Sequence, residues 1–561
     1  MSRPIAGEYV LTAYLEARSA LAIGSGRSSA DLDLTCQRDG LGRLVIPGSG
    51  LAGAILDALT EQAATALVPA GLDGTPWASY LWVEDCPEDD SKPVPTEVRD
   101  GVGINARTGA AAAGVLFNRE VVPPGTRFKC EIRVEAISSG ADRDPSTVAG
   151  LDKEKAKALL TEIISLLASG ISLGHSTTTG LGRVRLLSTE GDGFEVRWVG
   201  LDNFADVEQV IGSLGLGQCV SDQFKAHESA VLPGHLRIEV PWQAKSPLLV
   251  SINFNGLVDR LPQTTGRDKH VRLVIPGSSL KGALRSRSSK IVRTLIGAST
   301  PSDNHIDQMS QDLGPVTWLF GSPPGIEKQG QRPVGARDQQ EGSRRNAARG
   351  ALTVGELYSE PLEDWQGLLE VLAQHPPNDE QGKKKRQQER ARAGTLIRET
   401  GSYLHINDHV AIDRWTGGAA PGRLFATLAV EPSLPSTPTQ PWGASSTIVL
   451  DVNLERVAQV AGGHYDRRDA QQATIMLLVL LLRDLAEGWI GIGHGTSRGY
   501  GEIMASPEEI TLTWNPAAGT PQEERPGSQR TLKEVLDCEE AMALLTTSWQ
   551  TVLAGLREAR S

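Results

Sequence analysis

The hydrophobic positions of the chain change period several times, and each change marks an element. Tyr9-Val-Leu-Thr-Ala-Tyr-Leu-Glu-Ala17 alternates with the period of a half-buried strand. Behind an Ile-Pro-Gly-Ser turn, Leu51, Ile55, Leu56 and Leu59 recur at helical spacing, and Ser49 is placed to cap that helix. Thr126 to Val134 alternates again. Lys153 to Ala168 gathers Leu159, Leu160, Ile163, Ile164 and Leu167 on one face, and Arg183 to Leu187 closes as a strand. With further strands in the loops, this order predicts an α+β, ferredoxin-like βαββαβ module with its helices on one sheet face.

The plan returns from Leu236-Arg-Ile-Glu-Val240 through a helix at Ser278, a strand from Leu424 to Val430 and a helix from Gln471 to Leu485. Three motif pairs support a duplication. Arg43-Leu-Val-Ile-Pro-Gly-Ser-Gly-Leu-Ala-Gly-Ala54 matches Arg272-Leu-Val-Ile-Pro-Gly-Ser-Ser-Leu-Lys-Gly-Ala283, differing at Gly50/Ser279 and Ala52/Lys281. Val102-Gly-Ile-Asn-Ala-Arg-Thr-Gly-Ala-Ala111, closing with Leu116-Phe117, matches Val410-Ala-Ile-Asp-Arg-Trp-Thr-Gly-Gly-Ala419, closing with Leu424-Phe425. Gly174-His-Ser-Thr-Thr-Thr-Gly-Leu-Gly182 matches Gly493-His-Gly-Thr-Ser-Arg-Gly-Tyr-Gly501. The expected boundaries are a first module at 1–212, a linker at 213–234, a second module at 235–515 with an insertion at 297–406, and a tail at 516–561 with a helix from Thr531 to Arg560.

Composition narrows the function classes. A chain of 561 residues with 39% hydrophobic content is ample for two cores. Five cysteines stand singly without CxxC spacing, which suggests neither a thiolate zinc site nor a disulfide framework and fits a reducing cytoplasm. No apolar run reaches a membrane span, Ile475 to Leu482 being too short, and Met1-Ser-Arg-Pro lacks the start of a signal peptide. A cytoplasmic protein with no membrane partner is expected. The net charge of −12 argues against a generic nucleic-acid coat, so phosphate binding needs local patches. One is Arg267, Lys269, Arg272, Lys281, Arg285, Arg287, Lys290 and Arg293; the polar run Gly382 to Arg392 is expected to be mobile or ordered only on a partner.

Nothing matches GxxxxGK[ST], or GxGxxG after a strand, so no nucleotide cofactor is expected. There is no HExxH, and His175 and His494, alone in their loops, read as loop-ordering hydrogen-bonding groups. The Ile-Pro-Gly-Ser turn directs free backbone N–H groups at anything anionic. In the second copy, Lys281 and Arg285 lie one helical turn apart, positioned to grip one phosphate backbone, where the first copy has Ala52 and Leu56.

An aspartate in a loop, then Ile-Pro-Gly-Ser-Ser-Leu-Lys-Gly, then a Thr-Gly-Gly-Ala segment ending in Leu-Phe, then a glycine-rich loop resembles the RAMP superfamily, the backbone subunits of type III CRISPR effector complexes. The resemblance implies two tandem RRM-like modules with inserted thumb hairpins, in a fusion similar to the type III-D arrangement. It implies as partners a guide crRNA, a complementary target RNA and other type III effector subunits, including the large polymerase/nuclease-like one. Asp33 in Asp33-Leu-Thr-Cys-Gln-Arg-Asp39 and Asp259 in Leu257-Val-Asp-Arg-Leu-Pro262 take the place of the family's catalytic carboxylate, although Asp259 is three residues farther from its turn. Asp31 and Asp268 are the alternatives.

The implied chemistry is attack of a splayed RNA's 2′-hydroxyl on the adjacent phosphorus, with a divalent metal, Mg2+ or Mn2+, shared between carboxylate and phosphate, and Arg38 or Arg267 offsetting charge. The implied RNA-binding residues are Ser49, Ser278, Ser279, Lys281, Arg285, His175, Arg183, His494 and Arg498. The implied thumbs carry Arg107, Thr108 and Phe117, and Arg414, Trp415, Thr416 and Phe425, with Trp415, Phe425 and Phe117 as the wedges. A non-catalytic scaffold of the same complex is the alternative. A guide-processing nuclease would want a catalytic histidine early in the chain, and the first of interest is His175.

Overall fold

The computed structural model describes residues 5–29, 31–69, 77–89, 95–137, 151–187, 193–200, 217–226, 234–266, 271–301, 304–323, 348–377, 379–399, 403–432, 442, 447–515 and 529–559. The chain divides into two compact units, Met1–Arg99 with Phe117–Leu232, and Asp100–Leu116 with Pro233–Ser561.

In the first unit the strand Ile5–Ala17 is central. It pairs antiparallel with Arg127–Ile137 on one side and with Glu195–Gly200 and Arg183–Leu186 on the other. Leu81–Val83 lies beyond Arg127–Ile137, and Gln218–Cys219 lies beyond Glu195–Gly200. Residues 217–226, expected as linker, therefore include an edge strand of this sheet, and Phe224 packs on Tyr9. Alternation delivers Leu11, Ala13 and Leu15 to the core, where they meet Leu51 and Ile55 of the helix Gly48–Ala58 and Leu160, Ile163, Ile164 and Leu167 of the helix Lys153–Ser169. Asp152 caps the latter by accepting from the Lys155 N–H.

The first helix is not capped by Ser49, as expected, but begins after Pro47 with no side-chain cap. The turn is crowded instead: a Cβ on Gly48 would lie 2.1 Å from the Val83 carbonyl oxygen. The Gly48 N–H donates to Asp85 Oδ1 at 2.8 Å, so the protein's own carboxylate takes a donor that the sequence reading assigned to an outside anion.

The second unit repeats the strand order. His235–Val240 pairs with Ile448–Asn453 and Thr511–Asn515, and Leu352–Val354 borders Ile448–Asn453. Two expectations are corrected here. The strand beside His235–Val240 is Ile448–Asn453, and Leu424–Val430 belongs to a separate hairpin sheet, Ala419–Val430 with Leu404–Ile412. Leu352–Val354, inside the stretch read as an insertion, is a strand of the main sheet. The polar run Gly382 to Arg392, expected to be mobile or ordered only on a partner, lies in the helix Glu380–Glu399.

Helices Gly277–Ile296 and Arg467–Ala486 close this core through Leu280, Leu284, Val292, Leu477, Leu478, Leu481 and Leu482. The C-terminal segment is two helices, Leu532–Asp537 and Glu539–Glu558. The longer one is part of the core: Trp549 and Leu553 are buried, and Ser548 donates to Asp469 at 2.6 Å. All five cysteines are free thiols, and among the described residues no helix is long and apolar enough to cross a membrane.

Candidate functional site

Each half carries a hairpin whose turn follows one design. The Asn105 N–H donates to the Ala110 carbonyl at 2.9 Å, and the Asp413 N–H to the Gly418 carbonyl at 2.8 Å. Asn105 Oδ1 accepts from the Arg107 and Thr108 N–H groups, and Asp413 Oδ1 accepts from those of Trp415 and Thr416. The Thr108 and Thr416 hydroxyls each accept from the N–H two residues on. Gly109 and Gly417 both sit at φ 67°, the left-handed region. The shared Thr-Gly thus closes the turn, while Arg107, Arg414 and Trp415 are left exposed, Trp415 at 95%.

Beneath each turn the Leu-Phe pair splits. Leu116 and Leu424 are exposed, at 72% and 71%, whereas Phe117 and Phe425 are half-buried. Phe425 stacks on His409 with centroids 4.8 Å apart. The free apolar surface of the hairpins therefore includes Leu116, Leu424 and Trp415, with Val102, Ile104, Val410 and Ile412 exposed beside them, and the two phenylalanines expected as wedges are packed against neighbours.

The residue after each phenylalanine holds the candidate aspartate. Asn118 N–H donates to Asp33 Oδ2 at 2.8 Å, and the Asp33 N–H donates to Asn118 Oδ1 at 2.8 Å. Ala426 N–H donates to Asp259 Oδ2 at 2.7 Å, and the Asp259 N–H donates to the Ala426 carbonyl at 2.8 Å. The next residues pair in parallel in both units, Leu34 with Arg119 and Arg260 with Thr427. The three extra residues before the second turn leave this register unchanged. Both aspartates are exposed. Asp31 is tied through its carbonyl, which accepts from Asn118 Nδ2 at 2.9 Å; Arg267, Asp268 and Lys269 lie outside the described residues.

The closing loops are fixed by their glycines. His175 N–H donates to the Ala22 carbonyl and His494 N–H to the Leu249 carbonyl, at 2.8 and 2.6 Å. A Cβ on Gly174 or Gly493 would come within 2.6 or 2.5 Å of those same carbonyl oxygens. Each loop turns through a short 3-10 segment, Thr177–Thr179 and Thr496–Arg498.

An arginine accompanies each hairpin phenylalanine, from a different element in each half. Arg119, on the hairpin strand, lies 4.8 Å from the Phe117 centroid and donates to Ser176 Oγ at 2.6 Å. Arg498, on the closing loop, lies 5.6 Å from the Phe425 centroid and donates to His494 Nε2 at 2.9 Å. Burial, with Arg260, Arg498 and His409 nearby, pushes the His494 imidazole down to about 4, so its Nε2 is an acceptor at neutral pH. His175 is exposed, with Nδ1 2.8 Å from Ser176 Oγ. His409, Thr427, His494, Arg498 and Tyr500 line one small cavity. Sequence reasoning missed Arg119, Arg260, His409 and Tyr500; adjacency of Arg119 to the Leu-Phe pair, and of Arg260 to Asp259, was the available signal.

Several expected RNA contacts face inward. Lys281 is 7% exposed and its Nζ donates to the Leu352 carbonyl at 2.7 Å; burial, with Arg285 and Arg349 nearby, pushes it down to about 7. Arg285 donates to the Phe320 and Met309 carbonyls, Arg287 to the buried Asp484, and Arg293 to Gln311. Of that basic patch Lys281, Arg285, Arg287 and Arg293 turn inward while Arg272 and Lys290 are exposed, and the shared phosphate grip of Lys281 and Arg285 is withdrawn. Arg183 donates to the Ser169 carbonyl at the end of its helix. Arg38 is bound to Glu120 at 2.7 Å, away from the role of charge stabiliser. Ser49 and Ser278 are exposed and Ser279 is half-buried, all in first helical turns.

Two like halves of the sequence, each with a carboxylate pinned to the residue after a hairpin phenylalanine and a glycine-bound loop, define a duplicated-module protein. The description of the RAMP superfamily matches residues 14–185 and 262–503, most of the chain, and the chain belongs to that superfamily. No curated protein matches it. A solved chain from a cryo-EM structure of type III-B Cmr-beta in the apo state is similar at 16% identity, over 32% of this chain and 98% of its own, with a TM-score of 0.25.

Proposed function

We propose that the protein is a backbone subunit of a type III CRISPR ribonucleoprotein, built of two ferredoxin-like modules, which binds guide RNA and cleaves complementary RNA beside Asp33 and beside Asp259. One observation carries the reading: both carboxylates are fixed, in the same register, to the residue following the hairpin phenylalanine. A loop acid with no role has no reason to share that geometry across two halves whose hairpin tips differ, Ala106-Arg107 against Arg414-Trp415.

The chemistry follows from the placement. Leu116, Leu424 and Trp415 are apolar groups standing in water on hairpins, suited to part neighbouring bases. A nucleotide so parted leaves the helical path, which brings its 2′-oxygen in line with the adjacent phosphorus. The carboxylate takes the 2′-hydroxyl proton as O2′ bonds to phosphorus, the P–O5′ bond breaks with its electron pair going to O5′, which takes a proton from water, and a 2′,3′-cyclic phosphate and a 5′-hydroxyl result. Arg260 and Arg498 in the second half, and Arg119 in the first, offset charge on the phosphoryl oxygens.

Among the described residues no three His, Cys, Asp or Glu side chains form a group that could hold a metal ion. Each aspartate engages one carboxylate oxygen with a backbone N–H and, among the described residues, has no protein partner on the other. That donor set fits a Mg2+ or Mn2+ held jointly by Asp33 or Asp259 and the RNA, where the ion would supply charge neutralisation.

The test is cleavage of complementary RNA by the assembled complex carrying Asp33→Ala, Asp259→Ala or both. Each single change removes one product end and the double change removes both, with RNA binding retained. Unchanged products would leave the protein as a guide-binding scaffold.

A further inference from the structure

The helix Glu380–Glu399 carries seven Lys or Arg against three Glu, within a chain of net charge −12, so its cationic character is local. It is held against the second hairpin. Ala393 and Ile397 are buried in the core of the unit, and Arg390 donates to Asp408 Oδ1 at 2.7 Å. Its start is fixed as well: Gly382 N–H donates to Asp379 Oδ1, and a Cβ on Gly382 would lie 1.8 Å from the Pro377 carbonyl oxygen. Asp408 pairs across the hairpin with Ala426, the residue that pins Asp259. A run of three contacts thus joins the helix to the second candidate carboxylate.

The exposed surface of this helix has one chemistry. Lys383, Lys384 and Lys385 are exposed and have no partner among the described residues, and Gln387, Gln388 and Arg392 continue the exposed face. It lacks the aromatic or large aliphatic anchors on which a protein interface relies. Cations and amides without apolar anchors suit a row of phosphates. At about 1.5 Å per residue the helix is about 30 Å long, enough to follow several nucleotides.

We propose that the helix Glu380–Glu399 is an RNA-backbone-binding rail, with Lys383, Lys384 and Lys385 gripping phosphates of the strand that passes Asp259. The assignment rests on the RNA-binding reading above and adds a site outside the duplicated motifs.

The experiment titrates the full-length chain with a labelled single-stranded RNA over a range of salt concentrations, comparing wild type, K383Q/K384Q/K385Q and K383R/K384R/K385R. The glutamine variant is expected to lower the slope of log affinity against log salt by about 2, from about 0.7 per phosphate contact, and the arginine variant to keep it. An unchanged slope in the glutamine variant overturns the rail and leaves the cleavage reading standing, since that is judged by the Asp33 and Asp259 products. Failure of the wild type to bind RNA overturns both. Loss of a partner subunit from the complex with the RNA slope intact would make the helix a protein-docking element and overturn the rail.

Discussion

Asp259 and Ala426 hold each other by two hydrogen bonds, the aspartate N–H to the alanine carbonyl at 2.8 Å and the alanine N–H to Asp259 Oδ2 at 2.7 Å. Asp33 and Asn118 reproduce the pair with a side-chain oxygen replacing the carbonyl. Two bonds to one residue fix the carboxylate relative to the hairpin.

The pair separates charge from geometry. In Asp259→Asn the amide oxygen still accepts the Ala426 N–H while the basic oxygen is lost. Cleavage next to Asp259 is expected to fall about 10²-fold or more, with cleavage next to Asp33 and RNA affinity unchanged. Product-end mapping by the assembled complex measures this; an active asparagine variant would show that the carboxylate's charge is idle.

The closing loops make a prediction about stability. Gly182 and Gly501 lie at φ 88° and 76°, and a Cβ on either would come within 2.0 Å of the carbonyl oxygen of Leu173 or Ile492. Gly501→Ala is expected to cost about 3 kcal/mol or more. Gly499 has φ 83° but open space around it, so Gly499→Ala should cost only about 1 kcal/mol. Denaturant midpoints of the two variants rank them.

What the sequence made legible was periodicity and repetition. The alternation of Ile5–Ala17 and the turn pair at Asn105 and Asp413 survive because backbone hydrogen bonding enforces them in any context. The destination of long cationic side chains was not legible. Helix Gly277–Ile296 carries charge around its circumference, and only the carbonyls of Leu352, Phe320 and Met309 reveal that Lys281 and Arg285 turn inward. Leu424–Val430 and Ile448–Asn453 share strand-like composition, so pairing alone decides which joins the main sheet. Gly382 to Arg392 reads as mobile or ordered only on a partner because the apolar positions that anchor its helix, chiefly Ala393 and Ile397, lie beyond it.

Lys281 offers a pH test of its inward position. Its ammonium is pushed down to about 7 by burial first and by Arg285 and Arg349 second, against an unfolded value of 10.5. Between those values the unfolded chain binds the extra proton, so stability rises from pH 7 toward 10. Lys281→Met is expected to flatten that rise in urea unfolding and to leave RNA affinity unchanged. Weakened RNA binding would return Lys281 to the interface.

His494 tests the neighbouring groups in a lower pH window, with the same sign of linkage. Burial, then Arg260, Arg498 and His409, lower its proton affinity to about 4, against 6.5 in the unfolded chain. In that window the unfolded state carries the extra proton, so stability falls as pH drops from 6.5 toward 4, and His494→Gln should reduce that fall relative to wild type. A phosphate placed against the same imidazole reverses the balance, because it favours the charged ring over the neutral one. RNA binding is then expected to take up a proton, tightening as pH is lowered from 8 toward 6, and calorimetry in buffers of different ionisation enthalpy reads that uptake directly. Proton uptake that persists in His494→Gln would assign it to another group and move the phosphate away from this loop.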